Sequence, residues 1–215
     1  ASSERDLVVL AEVSGAILVQ RHPGGQVRVV GPFGVARRTP NGWHHQPPVE
    51  GWLDAVSACH SPEQRRILKR LLRFAVHDLG SRRIGALLIY RMGDHRGRME
   101  TPWPTPPPIG IDAPVDLAPM QHVLSQTDGA AVFDNGGTLV ALGGRLVPSR
   151  AAEETVAPFG GTRHTNAKRF SFDEPETIVI AVSEDGPVTV FRGGEIIGRS
   201  GNGDHEFASG ERRPL

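Results

Sequence analysis

Three short stretches of this chain hold residue types that could bind a nucleotide and move a proton. Gly160-Gly161-Thr162-Arg163-His164-Thr165 brings together two glycines, two hydroxyls, a guanidinium and an imidazole. Glycines let backbone amides approach an anion, hydroxyls donate to it, and Arg163 offers a planar fork matched to phosphate oxygens. His164 can donate to phosphate or ligate a metal. The spacing is not that of a P-loop, and a surface turn would account for the stretch taken alone. Asp128-Gly129-Ala130 places a carboxylate just before an apolar run. There Asp128 could take a proton from a hydroxyl or act through a metal, or simply serve as a turn residue. Ser183-Glu184-Asp185-Gly186 closes the strongest β run of the chain and is good hairpin-turn chemistry.

Other chemistries lack support. His44 and His45 lie in a Pro-rich stretch without a partner at ligand spacing, and no Gly-x-Ser-x-Gly elbow occurs. The single Cys59 cannot form an internal disulfide, which suits a reducing cytosol and a small buried side chain. The 24 basic and 24 acidic residues cancel, so no overall field favours nucleic acid or an anionic membrane, and any anion must be bound locally. No stretch approaches the ~20 apolar residues of a membrane span, so a soluble, cytoplasmic chain is expected. It begins at Ala1 rather than Met, as a trimmed or partial chain would.

The elements that must carry these residues divide the chain in three. Residues 1–60 read as a small β-rich module: Leu7-Val8-Val9-Leu10 and Ala16-Ile17-Leu18-Val19 are β-prone, and Pro23-Gly24-Gly25 is a hairpin turn before Gln26 to Val30. Arg37 to Pro48 is so dense in turn formers that it reads as a loop closing that module. Residues 61–198 read as one α/β (α+β) domain, a central mixed sheet flanked by helices. Its first helix is capped by Ser61 and Pro62, carries Ile67, Leu68, Leu71, Leu72, Ala75, Val76 and Leu79 at helical spacing, and can end at Gly80. The basic residues between Arg65 and Arg73 read as its solvated face.

Strands are expected at Ile84 to Tyr90, Ala131 to Phe133, Thr138 to Leu142, Thr177 to Val182 and Val188 to Phe191. Short helices are expected at Met120 to Leu124 and Asn166 to Phe170. Thr101 to Pro108, with its prolines around Trp103, must be an extended loop. Ser14 to Gly31 and Asp128 to Gly143 share a similar hairpin-like pattern, as an old duplication or chance would leave. Residues 199–215 read as a flexible tail.

The order of these motifs on one small α/β chain resembles the diadenylate cyclase (DAC) domain family, the type found at the N-terminus of the DNA-integrity scanning protein. The resemblance covers roughly Leu71 to Ile197 and rests on Gly85-Ala86-Leu87-Leu88-Ile89, Asp128-Gly129-Ala130, Gly161-Thr162-Arg163-His164, and Val179 to Glu184 followed by Val188 to Ile196. It implies that two protomers face each other, each holding one ATP, and that each 3′-hydroxyl attacks the partner's α-phosphate to give cyclic di-AMP and two pyrophosphates. Asp128 would activate the hydroxyl, and Gly129 and Ala130 would form the nucleotide wall. Arg163, His164, Gly161, Thr162 and Thr165 would hold phosphates. Ser183 and Glu184 would close the phosphate and metal side, with His164 and Glu184 as candidate ligands for Mg²⁺ or Mn²⁺. The expected partners are ATP and a second copy, in a homodimer or higher oligomer.

Two departures stand out. Many members have a second Arg after the motif histidine, where this chain has Thr165, and Asp185 stands where a second Glu is common. Lys168 or Arg169 could supply the missing charge. Without it, the same fold would serve as an inactive sensor of ATP or cyclic di-AMP. The N-terminal module would be regulatory.

Overall fold

Ser61 starts the helix that the sequence marks most plainly. The computed structural model, which describes residues 3–21, 25–39, 42–56, 61–93, 99–100 and 104–200, closes a capping box there. The Gln64 amide donates to Ser61 Oγ and the Ser61 amide to Gln64 Oε1, both at 3.2 Å. Helix α3 (Pro62–Arg73) buries Ile67, Leu68, Leu71 and Leu72, each worth roughly 1.5–3 kcal/mol relative to exposure. The chain then widens into a π-helical turn, Phe74–Leu79, with all six residues buried, and tightens into a 3₁₀ turn, Gly80–Arg82. The helical run therefore ends at Arg83, which is left-handed at φ 59°, not at Gly80. Gly80 serves close packing instead: a Cβ there would lie 2.7 Å from the Gly186 carbonyl oxygen.

The basic face of α3 is ion-paired rather than merely solvated. Arg65 reaches Asp54 and Arg66 reaches both Glu63 and Asp112, each at 2.5 Å. Lys69 meets Glu50, Arg70 meets Asp112, and Arg73 meets Glu12 and Glu50. Exposed pairs of this kind stabilise by at most about 1 kcal/mol each.

Among the described residues the main sheet has seven strands: β5 (Ala86–Arg91), β6 (Met99–Glu100), β7 (Ala130–Phe133), β8 (Leu139–Leu146), β9 (Thr177–Val182), β10 (Val188–Arg192) and β11 (Glu195–Arg199). Their order is β11-β10-β9-β5-β7-β8-β6. Strand β5 runs parallel to β7 and antiparallel to β9, so the expected mixed sheet is present. One face packs on α3, the π turn, α4 (Leu117–Gln126) and α2 (Glu50–Val56); α6 (Thr162–Asp173) covers the other, with α5 (Arg150–Thr155) beside it. Burial on both faces explains why β5 and β9 read as unbroken apolar runs.

The N-terminal unit differs from expectation at two places. Leu7 to Leu10 lie in helix α1 (Glu4–Ser14), because Ser3 and Asp6 form a capping box and Gly15 ends the helix at φ 66°. Those local signals, with Ala11 buried against the sheet, outweigh the β propensity of a short Leu-Val-Val-Leu run. Much of Arg37 to Pro48 is also strand. β1 (Leu18–Arg21), β2 (Val27–Gly31), β3 (Gly34–Thr39) and β4 (Gly42–Gln46) form an antiparallel meander in that order. The turn formers cluster at residues 40–41, outside the described residues, and at Pro47 and Pro48 beyond β4, which is an edge strand. Pro23 and Gly24 of the expected hairpin turn, Cys59, residues 101–103 with Trp103, and residues 201–215 also lie outside the described residues. Helix α2, before Ser61, buries Trp52, Leu53 and Val56 in the same core as α3.

Candidate active site

Strand direction gathers the site. Because β5 runs parallel to β7 and antiparallel to β9, the starts of β5 and β7 and the end of β9 lie at one edge of the sheet. Gly85, Asp128 with Gly129, and Ser183 with Glu184 occupy those three ends. Helix α6 delivers Arg163 to the same place from the face above.

Arg163 Nη2 lies 3.6 Å from Asp128 Oδ1, and Arg163 Nη1 lies 4.0 Å from Glu184 Oε1. The guanidinium thus sits between two carboxylates taken from different motifs. Asp128 is 96% exposed and Glu184 78%, while Arg163 is about one-third exposed at 37%. Water screens such pairs, so their geometry positions the groups more than it stabilises the fold.

Backbone turns set the carboxylates. Gly129 takes φ 92°, and a Cβ there would meet the Gly143 carbonyl carbon at 2.7 Å, so the start of β7 lies tight against β8. The Gly129 amide donates to Asp128 Oδ1 at 2.8 Å, and Ala130 is fully buried as the first residue of β7. Ser183 accepts from the Asp185 amide through Oγ at 3.3 Å, and its carbonyl accepts from the Gly186 amide at 2.9 Å. That is the expected turn, with Glu184 at its tip.

Helix α6 begins at Thr162 with Gly161 as its cap and no side-chain hydrogen bond closing the cap. Its first amides therefore remain available as donors at the positive end of the helix dipole. His164 packs into an aromatic cluster. Its ring centroid lies 6.2 Å from Phe159 and 6.3 Å from Phe191, and those two rings are 5.9 Å apart, all edge-to-face. Burial, then the nearby Arg163 and Arg199 charges, hold the His164 imidazole below its ordinary value.

Thr165 does structural work: its Oγ1 donates to the Phe159 carbonyl at 3.1 Å and accepts from the Phe159 amide at 3.2 Å. Lys168 and Arg169, the expected sources of a further charge, both bond to backbone carbonyls. Lys168 reaches the Ala157 carbonyl, and Arg169 reaches those of Val156 and Glu153, because their helical positions point toward the end of α5.

Two residues to which the sequence assigns no site role lie beside these groups. Gly85 borders the site: a Cβ there would lie 2.6 Å from Glu184 Cγ and 2.8 Å from Arg163 Nη1. A glycine just ahead of an unbroken apolar run was the available signal. Arg199 belongs to β11, not a loose tail, and its Cζ lies 5.4 Å from the Phe159 ring centroid. Nothing local in the sequence marks that contact.

Residues 73–196, more than half of the chain, match the family described as DAC, DisA bacterial checkpoint controller nucleotide-binding. No curated protein matches the chain. A solved structure titled as a hypothetical membrane spanning protein from Bacillus cereus is 18% identical, with 62% of this chain and 70% of that chain covered and a TM-score of 0.42. A double mutant of DacA from Staphylococcus aureus is 22% identical, with 65% and 89% covered and a TM-score of 0.37.

Proposed function

The chain belongs to the DAC family, and from that premise we propose that it condenses two ATP molecules into cyclic di-AMP and two pyrophosphates. The observation that carries this reading is the seat of Arg163 between Asp128 and Glu184, which joins the three motifs in one open site. Asp128 accepts the proton of a 3′-hydroxyl. The freed oxygen bonds to the α-phosphorus of the ATP held by the partner, the bond to the bridging β-phosphate oxygen breaks, and pyrophosphate leaves. The same step from the other side closes the ring. A monomer aligns only one nucleotide, so the reaction needs a face-to-face homodimer or a larger assembly. The near-complete exposure of Asp128 suits a site finished by a second copy.

Arg163 and the free amides of α6 bind phosphate, with Gly161, Thr162 and Ser183 at the rim. Gly129 and Ala130 form the wall. Mg²⁺ or Mn²⁺ fits the donor set: hard cations take one or two carboxylates and leave their remaining positions to phosphate and water. Glu184 would hold the ion together with the phosphates of the nucleotide. Among the described residues no group of three or more His, Cys, Asp and Glu gathers to hold one without the nucleotide. The ion would offset the charge of the triphosphate. The packing of His164 on Phe159 and Phe191 supports a role in the wall more than as a metal ligand. Thr165 serves by fixing Phe159. An ATP-consuming reaction belongs in the cytoplasm, and among the described residues no helix is long and apolar enough to cross a membrane.

A second reading, an inactive sensor of ATP or cyclic di-AMP, draws on one observation: the Thr165 hydroxyl is committed to the backbone of Phe159. Incubating the pure protein with ATP and Mn²⁺ and resolving the products by chromatography separates the two. Cyclic di-AMP identifies the enzyme. Its absence together with ATP binding identifies the sensor.

A further inference from the structure

Phosphate sites that face a triphosphate commonly hold more than one cation, and Arg163 is the only one that the three motifs bring to this edge of the sheet among the described residues. A second guanidinium stands at the same end of the sheet, because β10 runs antiparallel to β9 and β11 antiparallel to β10, so β11 ends at Arg199 where β9 ends before Ser183. Arg199 lies opposite Thr189 of β10. The neighbours of Thr189, Val188 and Val190, both belong to the core beneath α3, so Thr189 and Arg199 face the α6 side. The guanidinium rests over the Phe159 ring, which in turn stands edge-to-face with His164. The seat itself is built: both the amide and the carbonyl of Phe159 are bonded to Thr165 Oγ1.

The charge of Arg199 is also uncommitted. Arg65, Arg66, Arg70 and Arg73 each meet a carboxylate, whereas among the described residues no acidic group lies within ion-pair distance of Arg199. An arginine stacked on an aromatic ring keeps its planar edge of donors free for an oxyanion. We propose that Arg199 supplies the second positive charge of the triphosphate site, seated for that purpose on a phenylalanine that Thr165 holds in place. The residue that replaces the motif arginine thus organises the ring on which the substitute cation rests. Its ligand is the polyphosphate of a nucleoside triphosphate, and the inference rests on the nucleotide-binding reading above.

The test compares ATP and adenosine binding by calorimetry in the wild type, Arg199→Lys, Arg199→Gln and Arg199→Glu, all checked for an unchanged melting temperature without ligand. Loss of one charge-assisted contact corresponds to about tenfold in affinity. Arg199→Gln is expected to weaken ATP by about that factor, Arg199→Glu by more and Arg199→Lys by less, with adenosine unaffected. A purely structural arginine would weaken both ligands alike and gain nothing from lysine. ATP binding by the wild type with the same affinity in Arg199→Gln overturns the role of Arg199 and leaves the nucleotide site standing. No ATP binding by the wild type overturns both.

Discussion

His77 Nδ1 stands 2.9 Å from Glu4 Oε1, across 73 residues of sequence. The bond ties the first turn of α1 to the π turn after α3, and the next residue of each pairs likewise, Arg5 with Asp78 at 2.8 Å. Arg37 of β3 grips the same Glu4 carboxylate at 2.5 Å, and Arg28 Nε of β2 adds its charge at 3.1 Å without a directed hydrogen bond. One buried carboxylate thereby joins the N-terminal sheet to the helical layer of the main domain.

Glu4→Gln should lower unfolding free energy by roughly 2–3 kcal/mol, since it leaves the partly buried Arg28 and Arg37 without their counter-charge. Urea unfolding at neutral pH measures this, and an unchanged midpoint would remove Glu4 from the junction.

The same carboxylate sets an acid dependence. Burial pushes Glu4 up, but the His77 hydrogen bond and the Arg37 guanidinium outweigh it and hold the group below its ordinary 4.5. Its contribution to stability is therefore complete above pH 4.5 and is lost as pH falls through the lower folded value. Asp78 opposes it: burial, only partly offset by Arg5, raises it above its ordinary 3.8, so ionising Asp78 costs stability as pH rises through its folded value. A melting-temperature profile from pH 6 to 3 should fall in the wild type and be flatter in Glu4→Gln.

Asp128→Asn should reduce cyclic di-AMP formation by about 10²–10⁴-fold, the usual scale for a general base. The exposed side chain makes little of the fold, so melting temperature and ATP affinity should hold. Turnover at the wild-type rate would sink the proton-transfer role.

Gly85→Ala presses a methyl group between Glu184 and Arg163, both flexible side chains, so the fold should survive while the site deforms. ATP affinity is expected to fall with little change in melting temperature. Gly129→Ala differs in kind: its φ of 92° and the backbone of Gly143 leave no room to adjust, and it should destabilise by more than about 1 kcal/mol. Equal effects of the two on stability would contradict this distinction.

His164, lowered first by burial and then by Arg163 and Arg199, stays neutral at pH 7. The unfolded chain takes up its proton first, so the stability from this group is full above pH 6.5 and declines as pH drops through the folded value. His164→Gln should remove that part of the pH dependence. NMR titration showing His164 protonated at pH 7 would contradict it.

Local pattern determined much on its own. The capping of α3 at Ser61, the apolar runs of β5 and β9 and the turn at Ser183 to Gly186 depend on neighbours in the chain, so periodicity and turn chemistry exposed them, and motif order exposed the family. Leu7 to Leu10 and the strands within Arg37 to Pro48 were misread because α1's caps and the sheet partners of β3 decide their state, not the propensity of four residues.

Tertiary structure alone decided which charges meet. With β5 inserted between β9 and β7, one antiparallel and one parallel, Gly85, Asp128 and Glu184 reach a single edge from positions far apart in the chain. The α6 register turns Arg163 toward that edge, His164 toward Phe159 and Phe191, and Lys168 and Arg169 away. Strand order and helix register are global properties of the packed core. A run of residues read by itself names the groups able to do chemistry, and the packing selects those that meet.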